Sequence, residues 1–227
     1  MTSSRKLPIH EQLLLLSLHD EKGTAHESMF TYALAGAIIA ELLDTGSLRI
    51  EQHGRHGVLL VADASATGDP LLDECVQKIA TAPRNAVVST WIARFAALKD
   101  LKDRIAQRLC DRGILTRSED RVLWVFPRVV YPTSDPGPEE QIVAELRDAI
   151  MAEGEIDARI AIVVALAHSA GILPHVFERS LLKARSSRID AMVQMADVSG
   201  ATKDAIEGAR AAVATLVAAT PALPASG

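Results

Sequence analysis

The stretch of residues 98–126 constrains the fold of this chain more than any other. Its apolar residues recur at spacings of three and four, which predicts one face of an amphipathic helix: Leu98, Leu101, Ile105 and Leu109. Gly113 stands where a left-handed residue commonly ends a helix. Two short apolar segments, residues 114–116 and 122–126, follow this glycine and predict a β-hairpin that turns at residues 118–120. The stretch therefore predicts a helix followed directly by a hairpin.

Basic residues flank the apolar face of this predicted helix on both sides. At about 100° per residue, Lys99 and Lys102 fall on one side of the apolar face. Arg104, Arg108 and Arg112, spaced four apart, fall on the other side. Aspartates point away from the apolar face, and one of them, Asp100, is placed to pair with Arg104. Two interpretations stay open: a surface that binds an anionic ligand, or a solvated face balanced by its own aspartates.

The same order of a helix, a glycine and a hairpin also occurs earlier in the chain. Residues 40–48 parallel residues 107–115, and strands are predicted at 48–50 and 58–61. Further helices are predicted at 8–18, 28–43, from Asp69 to Pro83, at 87–95, 139–150, 156–168, 176–195 and 202–217. Because only 4% of the residues are aromatic, the core must consist of Leu, Ile, Val and Ala, which favours helices. We predict a mainly α fold, a helical bundle with two small, winged-helix-like hairpin units at its periphery.

We predict a flexible lead-in at residues 1–6, a single domain at 7–220 and a frayed tail at 221–227. A sub-boundary is expected at the proline-rich residues 127–138. The longest apolar run, residues 160–167, is too short to span a bilayer. These features predict that any contact with a membrane is peripheral.

No catalytic motif is found in the sequence. A phosphate-binding loop, a nucleophile elbow and a zinc-protease helix signature are all absent. His53 and His56 lack partners at metal-ligand spacing, and Cys75 and Cys110 resemble buried helix positions in an intracellular, reduced protein. We therefore expect no enzymatic activity, no cofactor and no metal.

Several segments, in this order, resemble the Golgi phosphoprotein 3 (GPP34-like) family. They are LPIHEQLLLLSLHDEKG at 7–23, AEL at 40–42 with GSL at 46–48, TGDPLLDE at 67–74, WI at 91–92, and the basic helix with its GILT continuation at 98–116. The resemblance extends from residue 7 to about residue 170. The Ala- and Arg-rich chain is expected to be a bacterial member.

The resemblance implies a peripheral membrane adaptor that binds phosphatidylinositol 4-phosphate. In eukaryotic members, a tryptophan, an arginine of the second helix and two arginines of the basic helix surround the headgroup. The last two correspond to Lys99 and Lys102, whereas the second-helix arginine corresponds to Ala35. The tryptophan lacks a clean counterpart, and Phe30 or Met29 is the nearest apolar substitute.

Our first hypothesis is a non-enzymatic, cytoplasmic protein on the cytoplasmic face of a membrane, with Lys99, Lys102 and Phe30 at the lipid headgroup. Trp124 and Phe126 would provide a membrane contact, or a homo-oligomer would form through the hairpin at 114–126. The alternative is a winged-helix regulator in which Arg104, Arg108 and Arg112 contact nucleic acid. The net charge of -5 counts against it, so we expect no nucleic acid as partner.

Overall fold

A computed structural model describes residues 6–18, 27–53, 56–122 and 126–194. Ten helices lie in these ranges: α1 Ile9–Leu18, α2 Glu27–Asp44, α3 Pro70–Ala80, α4 Val88–Ala96, α5 Leu101–Asp111, α6 Gly137–Met151, α7 Ala158–Ser169, α8 Leu173–Val176, α9 Arg179–Ala184 and α10 Ser186–Gln194. The strands are β1 Leu48–His53, β2 His56–Val61, β3 Ala86–Val87, β4 Ser118–Val122 and β5 Phe126–Val130. The predicted fold class is confirmed, since the chain is mostly helical with two small antiparallel sheets. Within the ranges described, none of the helices has the length and apolar character needed to cross a membrane.

Helix α1 lies at the centre of the fold. It packs against α2, α5, α6 and α7, and Leu13 to Leu16 are all fully buried. A helix that is covered on several sides must be apolar on several faces, which explains the run of four leucines. Helix α2 packs in turn against α4 and α7. Residues from both halves of the chain therefore share one hydrophobic cluster.

The first sheet has the strand order β1-β2-β3 and is antiparallel throughout. Its hairpin, β1 and β2, was predicted, whereas the two-residue strand β3 was not. Helix α3 lies between β2 and β3 in the chain and begins as predicted. The Asp69 carboxylate accepts a hydrogen bond from the Leu71 amide at 2.8 Å, and Pro70 occupies the first helical position.

The second hairpin differs from its prediction. The predicted turn at residues 118–120 lies in strand β4, and β4 pairs with β5 from Ser118–Val130 to Val122–Phe126. The predicted strand at residues 114–116 makes only a single bridge, between Leu115 and Thr133. Ile114 and Leu115 are buried in the main core, so their apolar character reflects packing and not a place in this hairpin.

The predicted helix at residues 176–195 is wrong in its continuity, because the structure divides this region into α8, α9 and α10. Phe177 and Glu178 adopt extended conformations between α8 and α9. Phe177 is 3% exposed, and the extended backbone at this residue interrupts the helix where its ring is buried. The predicted helix at 202–217 lies outside the described residues.

Candidate functional site

The N-terminal end of α5 carries the two lysines that the family resemblance singles out. Asp100, which precedes the helix, has a left-handed backbone with φ of 54°. Lys99 therefore lies in the turn before α5 and does not share its helical spacing with Lys102, contrary to our prediction. The Lys99 side chain is 92% exposed, its Nζ lies 3.9 Å from Asp100 Oδ2, and Lys102 is also exposed.

Helix dipole and lysines reinforce each other at this end of α5. The first amides of a helix have no partner within the helix and carry a partial positive charge. The Asp100 side chain makes no capping hydrogen bond to them. The exposed end of α5 therefore combines two cationic side chains with helix amides, an arrangement that favours an anionic group.

The other residues of the predicted headgroup site have different environments. Ala35 and Phe30 both lie on α2, where Ala35 is fully buried and Phe30 is 6% exposed. Trp124 lies outside the described residues, and for Phe126 the structure describes the backbone in β5 but not the side chain. Only the lysines of this set are described as exposed side chains.

The three arginines of α5 face inward, toward α1 and α3. Arg104 Nη2 lies 2.6 Å from Glu74 Oε2, so this arginine pairs with α3 and not with Asp100 as predicted. Arg108 Nε lies 2.9 Å from Asp69 Oδ2 and 3.4 Å from Glu11 Oε1. Arg112 Nη2 lies 3.4 Å from the same oxygen of Glu11. The arginine row therefore connects three helices within the molecule.

We call the residues at the centre of this junction the buried cluster: His10, Glu11, Asp69, Arg108 and Arg112. His10 and Glu11 are fully buried, and Asp69 is 3% exposed. Sequence reasoning missed this cluster because Glu11 and Arg108 are 97 residues apart. A signal was nonetheless present, since His10 and Glu11 are charged or titratable residues at the start of a helix that continues with four leucines.

The pKa values of the two buried carboxyls, Glu11 and Asp69, are shifted in opposite directions. Burial raises the pKa of Glu11 above its usual value, and the attraction of His10, Arg112 and Arg108 only partly offsets this. Burial also opposes ionisation of Asp69, but His10, the Leu71 amide and Arg108 outweigh it and lower the pKa of Asp69. Asp69 is therefore the more strongly held anion of the pair.

A cavity of about 420 Å³ opens beside the buried cluster. Its lining includes Asp69, Arg108 and Arg112 from the cluster, and the hydroxyl residues Thr45, Ser47, Ser65 and Thr67. Glu41, which also lines the cavity, belongs to a neighbouring ionic group: Arg159 Nη2 lies 2.8 Å from Glu41 Oε2, and Arg159 also pairs with Asp44. The cavity lies toward the C-terminal end of α5, where Arg108 and Arg112 line it, about 9–15 Å along the helix from Lys102 at 1.5 Å per residue.

The cysteines show the environment expected of structural residues. Cys75 is fully buried, and burial raises the pKa of its thiol to about 12. A thiol with this pKa is protonated at neutral pH and is a poor nucleophile. Cys110 is half-buried, and burial raises its pKa as well.

Comparison with known proteins gives a family match over most of the chain. The model of the family described as Golgi phosphoprotein 3 (GPP34) matches residues 9–209. The vacuolar protein sorting-associated protein 74 of Schizosaccharomyces pombe is 29% identical over 157 residues. That alignment covers 60% of this chain and 46% of the relative, so it spans about half of the relative's length. This match to a yeast protein gives no support to the expected bacterial origin. The match to the family model, which extends from α1 past α10, shows that the chain belongs to the Golgi phosphoprotein 3 (GPP34) family.

Proposed function

We propose that this protein is a non-enzymatic peripheral membrane protein that binds an anionic lipid headgroup, similar to phosphatidylinositol 4-phosphate, at the N-terminal end of α5. The observation that carries the proposal is the exposure of Lys99 and Lys102 beside uncapped helix amides. Family membership supports it, because the resemblance implies that these lysines correspond to headgroup-binding arginines of the eukaryotic members. The membrane would be approached from the cytoplasm.

The chemistry of the two lysines sets the expected selectivity. A lysine ammonium acts as a point charge and lacks the planar fork with which arginine binds two phosphate oxygens. Ala35 provides no third cation, and it is fully buried. We therefore expect weaker discrimination between anionic headgroups than a pocket with three arginines would give.

Two lysines alone give only modest membrane affinity. Each basic residue near an anionic surface contributes about 1 kcal/mol. A second contact is therefore part of the proposal, and the β4–β5 hairpin is the candidate, either by contact of Trp124 and Phe126 with lipid or through a homo-oligomer. Ile114 and Leu115 are buried in the core, so this contact is limited to β4 and β5.

Vesicle co-sedimentation tests the proposal. The full chain would be mixed with neutral, phosphatidylinositol, phosphatidylinositol 4-phosphate and cardiolipin vesicles at physiological salt. The test variant is Lys99→Glu/Lys102→Glu. The charge-matched control is Arg179→Glu/Lys183→Glu, which reverses two exposed cations on α9.

Binding to phosphatidylinositol 4-phosphate vesicles that only the α5 variant loses is the expected result. Equal loss in both variants would reduce the site to a general charge effect. Binding that survives reversal of both lysines would contradict the proposal. The variant Trp124→Ser/Phe126→Ser tests the hairpin separately. We expect this variant to reduce vesicle binding, or to reduce the molecular mass measured by analytical ultracentrifugation, without changing headgroup selectivity.

The structure does not favour the alternative of a nucleic-acid regulator. That function requires Arg104, Arg108 and Arg112 to reach phosphates. Their guanidinium groups instead pair with Glu74, Glu11 and Asp69 inside the protein. We do not propose it.

A further inference from the structure

Several polar atoms of the buried cluster have no hydrogen-bond partner among the residues that the structure describes. These atoms are both ring nitrogens of His10, Oε2 of Glu11 and Oδ2 of Asp69. His10 and Glu11 are fully buried and Asp69 nearly so. Buried polar atoms in proteins are almost always satisfied, and an unsatisfied group calls for an explanation such as strain, a catalytic role, or a bound water or ion. Three such residues in one place therefore need a common explanation.

The three side chains lie close together. One ligand atom from each of His10, Glu11 and Asp69 lies within 4.8 Å of the others. His10 Nε2 and Asp69 Oδ2 are 3.4 Å apart. Ligands at about 2.0–2.1 Å from a tetrahedral zinc ion lie about 3.3 Å from each other. This edge of the cluster already has the separation that a zinc ion requires.

We propose that His10, Glu11 and Asp69 form a binding site for a divalent transition-metal ion such as Zn²⁺. One imidazole nitrogen and two carboxylate oxygens are three ligands of the kinds that zinc takes from proteins. The fourth position would fall to a water from the cavity, because Asp69 lines both the cluster and the cavity.

The two arginines leave the proposed ligand atoms available. Arg108 Nε donates its hydrogen bond to Oε1 of Glu11, and Arg112 approaches the same oxygen. The other oxygen of Glu11 has no hydrogen-bond partner within the described ranges. Arg108 Nε is also 2.9 Å from Asp69 Oδ2, but its N–H is directed at Glu11, so Oδ2 accepts no hydrogen bond from the part of the chain that the structure describes. The arginines would stay beside the ligating carboxylates as outer partners of the metal ligands.

The same arginines set the strength of the site. Their two positive charges balance the two carboxylates, so a divalent ion would add charge to a buried region. We therefore expect weaker binding than in a site with these ligands and no arginine. The role of the metal would be structural, because it would tie α1 to the first turn of α3 and stabilise the folded chain by mass action.

The test uses the full-length chain without a histidine tag, stripped with a chelator. Zn²⁺ binding would be measured by calorimetry, Co²⁺ binding by the visible absorption of a tetrahedral ion, and the melting temperature with and without Zn²⁺. His10→Leu removes one ligand and leaves an apolar side chain in an apolar helix. Asp69→Asn is a second variant that still caps α3, because asparagine is a good N-cap.

The expected result is one Zn²⁺ per chain, a rise of several degrees in melting temperature and tetrahedral Co²⁺ bands. Both variants should weaken binding by more than about 100-fold, since changes even in outer partners of a site cost 10–100-fold. The matched control is His168→Leu, at an exposed position of α7, and it should bind like the parent.

Two results would overturn the proposal. Absence of stoichiometric binding in the parent chain would mean that water alone satisfies the buried atoms. Binding that His10→Leu and Asp69→Asn leave intact would place the metal on surface residues. Neither result depends on the lysines, so this site and the lipid site can fail separately.

Discussion

The arginines and the lysines of α5 belong to one short helix region and carry the same charge, yet they have opposite environments. Arg108 is 25% exposed at its side chain and faces carboxylates that are at most 4% exposed, whereas the Lys99 side chain is 92% exposed. The arginines compensate charges that the fold has buried. The lysines compensate nothing in the core and are available to a ligand. A basic residue in a sequence therefore indicates a binding function only where the folded chain leaves its side chain exposed and not paired with a buried carboxylate.

The largest test of this comparison is Arg108→Ala. The substitution leaves the buried carboxylates of Glu11 and Asp69 without this partner, and breaking one side of a buried ion pair costs about 3–5 kcal/mol. Since Arg112 stays near Glu11, we expect a loss near the lower end of that range. Urea denaturation in the presence of a chelator measures it. Arg84→Ala, at an exposed loop position, is the control and should change stability by less than about 0.5 kcal/mol. An equally small effect of Arg108→Ala would show that the carboxylates do not depend on it.

The pH dependence of stability in Glu11→Gln, compared with the parent, should differ by less than the loss expected for Arg108→Ala, and the sign of the difference is defined. The pKa of Glu11 is raised above 4.5 in the folded state. Such a group stabilises the fold below its unfolded pKa, and this contribution is lost as the pH rises through the folded pKa. The stability of the parent relative to Glu11→Gln should therefore fall as the pH increases from about 4.5. Denaturation midpoints between about pH 4 and about pH 8 would measure the difference. A difference that rises with pH would contradict the assigned direction.

The lowered pKa values of Asp69 and Glu74 act in the opposite sense. Their contributions are present above the unfolded pKa and are lost as the pH falls through the folded values. In Glu11→Gln, we therefore expect stability to decrease toward acid below about pH 4, where these two carboxyls become protonated.

Arg104→Ala lies between the two extremes. The ion pair of Arg104 with Glu74 is only 2.6 Å long, but both side chains are about one-third exposed. Exposed ion pairs contribute 0.2–1 kcal/mol, so we expect a loss of about 0.5–1 kcal/mol. A double-mutant cycle with Glu74→Ala would isolate the pair from the other contacts of each residue. A coupling as large as that expected at Arg108 would mean that burial is not what separates the arginines.

The smallest stability effect is expected from Lys99→Gln/Lys102→Gln. Because both side chains are exposed, the free energy of unfolding should change by less than about 0.5 kcal/mol. Affinity for anionic vesicles should nevertheless fall by about 2 kcal/mol, or about 30-fold. If the variant loses stability but keeps vesicle binding, the lysines stabilise the fold and do not bind lipid, which would contradict the comparison with the arginines.

Local sequence patterns predicted much of this fold because local forces determine those parts. The apolar spacing of α5, the Asp69 cap of α3 and the glycine that ends α5 each involve residues a few positions apart. Gly113 does adopt a positive φ of 75°. These signals remain valid whatever the rest of the chain does.

Other parts depend on distant residues, and the sequence alone did not predict them. The partners of Arg108 come from α1 and from the residue before α3, so no local spacing reveals them. The first strand of the second hairpin was predicted too early in the chain. Ile114 and Leu115 are apolar because they are buried in the core, and a short apolar segment of this kind resembles a strand in the sequence. Asp100 adopts its left-handed backbone without a glycine, and this removed Lys99 from the predicted helix. The lysines of the proposed lipid site were singled out by the spacing of basic residues and by the family resemblance, whereas the buried cluster required the structure.

The central position of α1 has a consequence for how the chain folds during synthesis. This helix is made early, but part of its cover comes from α7, and Arg159 at the start of α7 also binds the Leu7 carbonyl at 3.1 Å. At a translation rate of 5–20 residues per second, the ribosome takes on the order of ten seconds to reach that arginine after completing α1. During that time the four leucines of α1 lack part of their native cover. A nascent chain of this family would therefore expose its most apolar helix until most of the domain has been made, and chaperone binding should concentrate there.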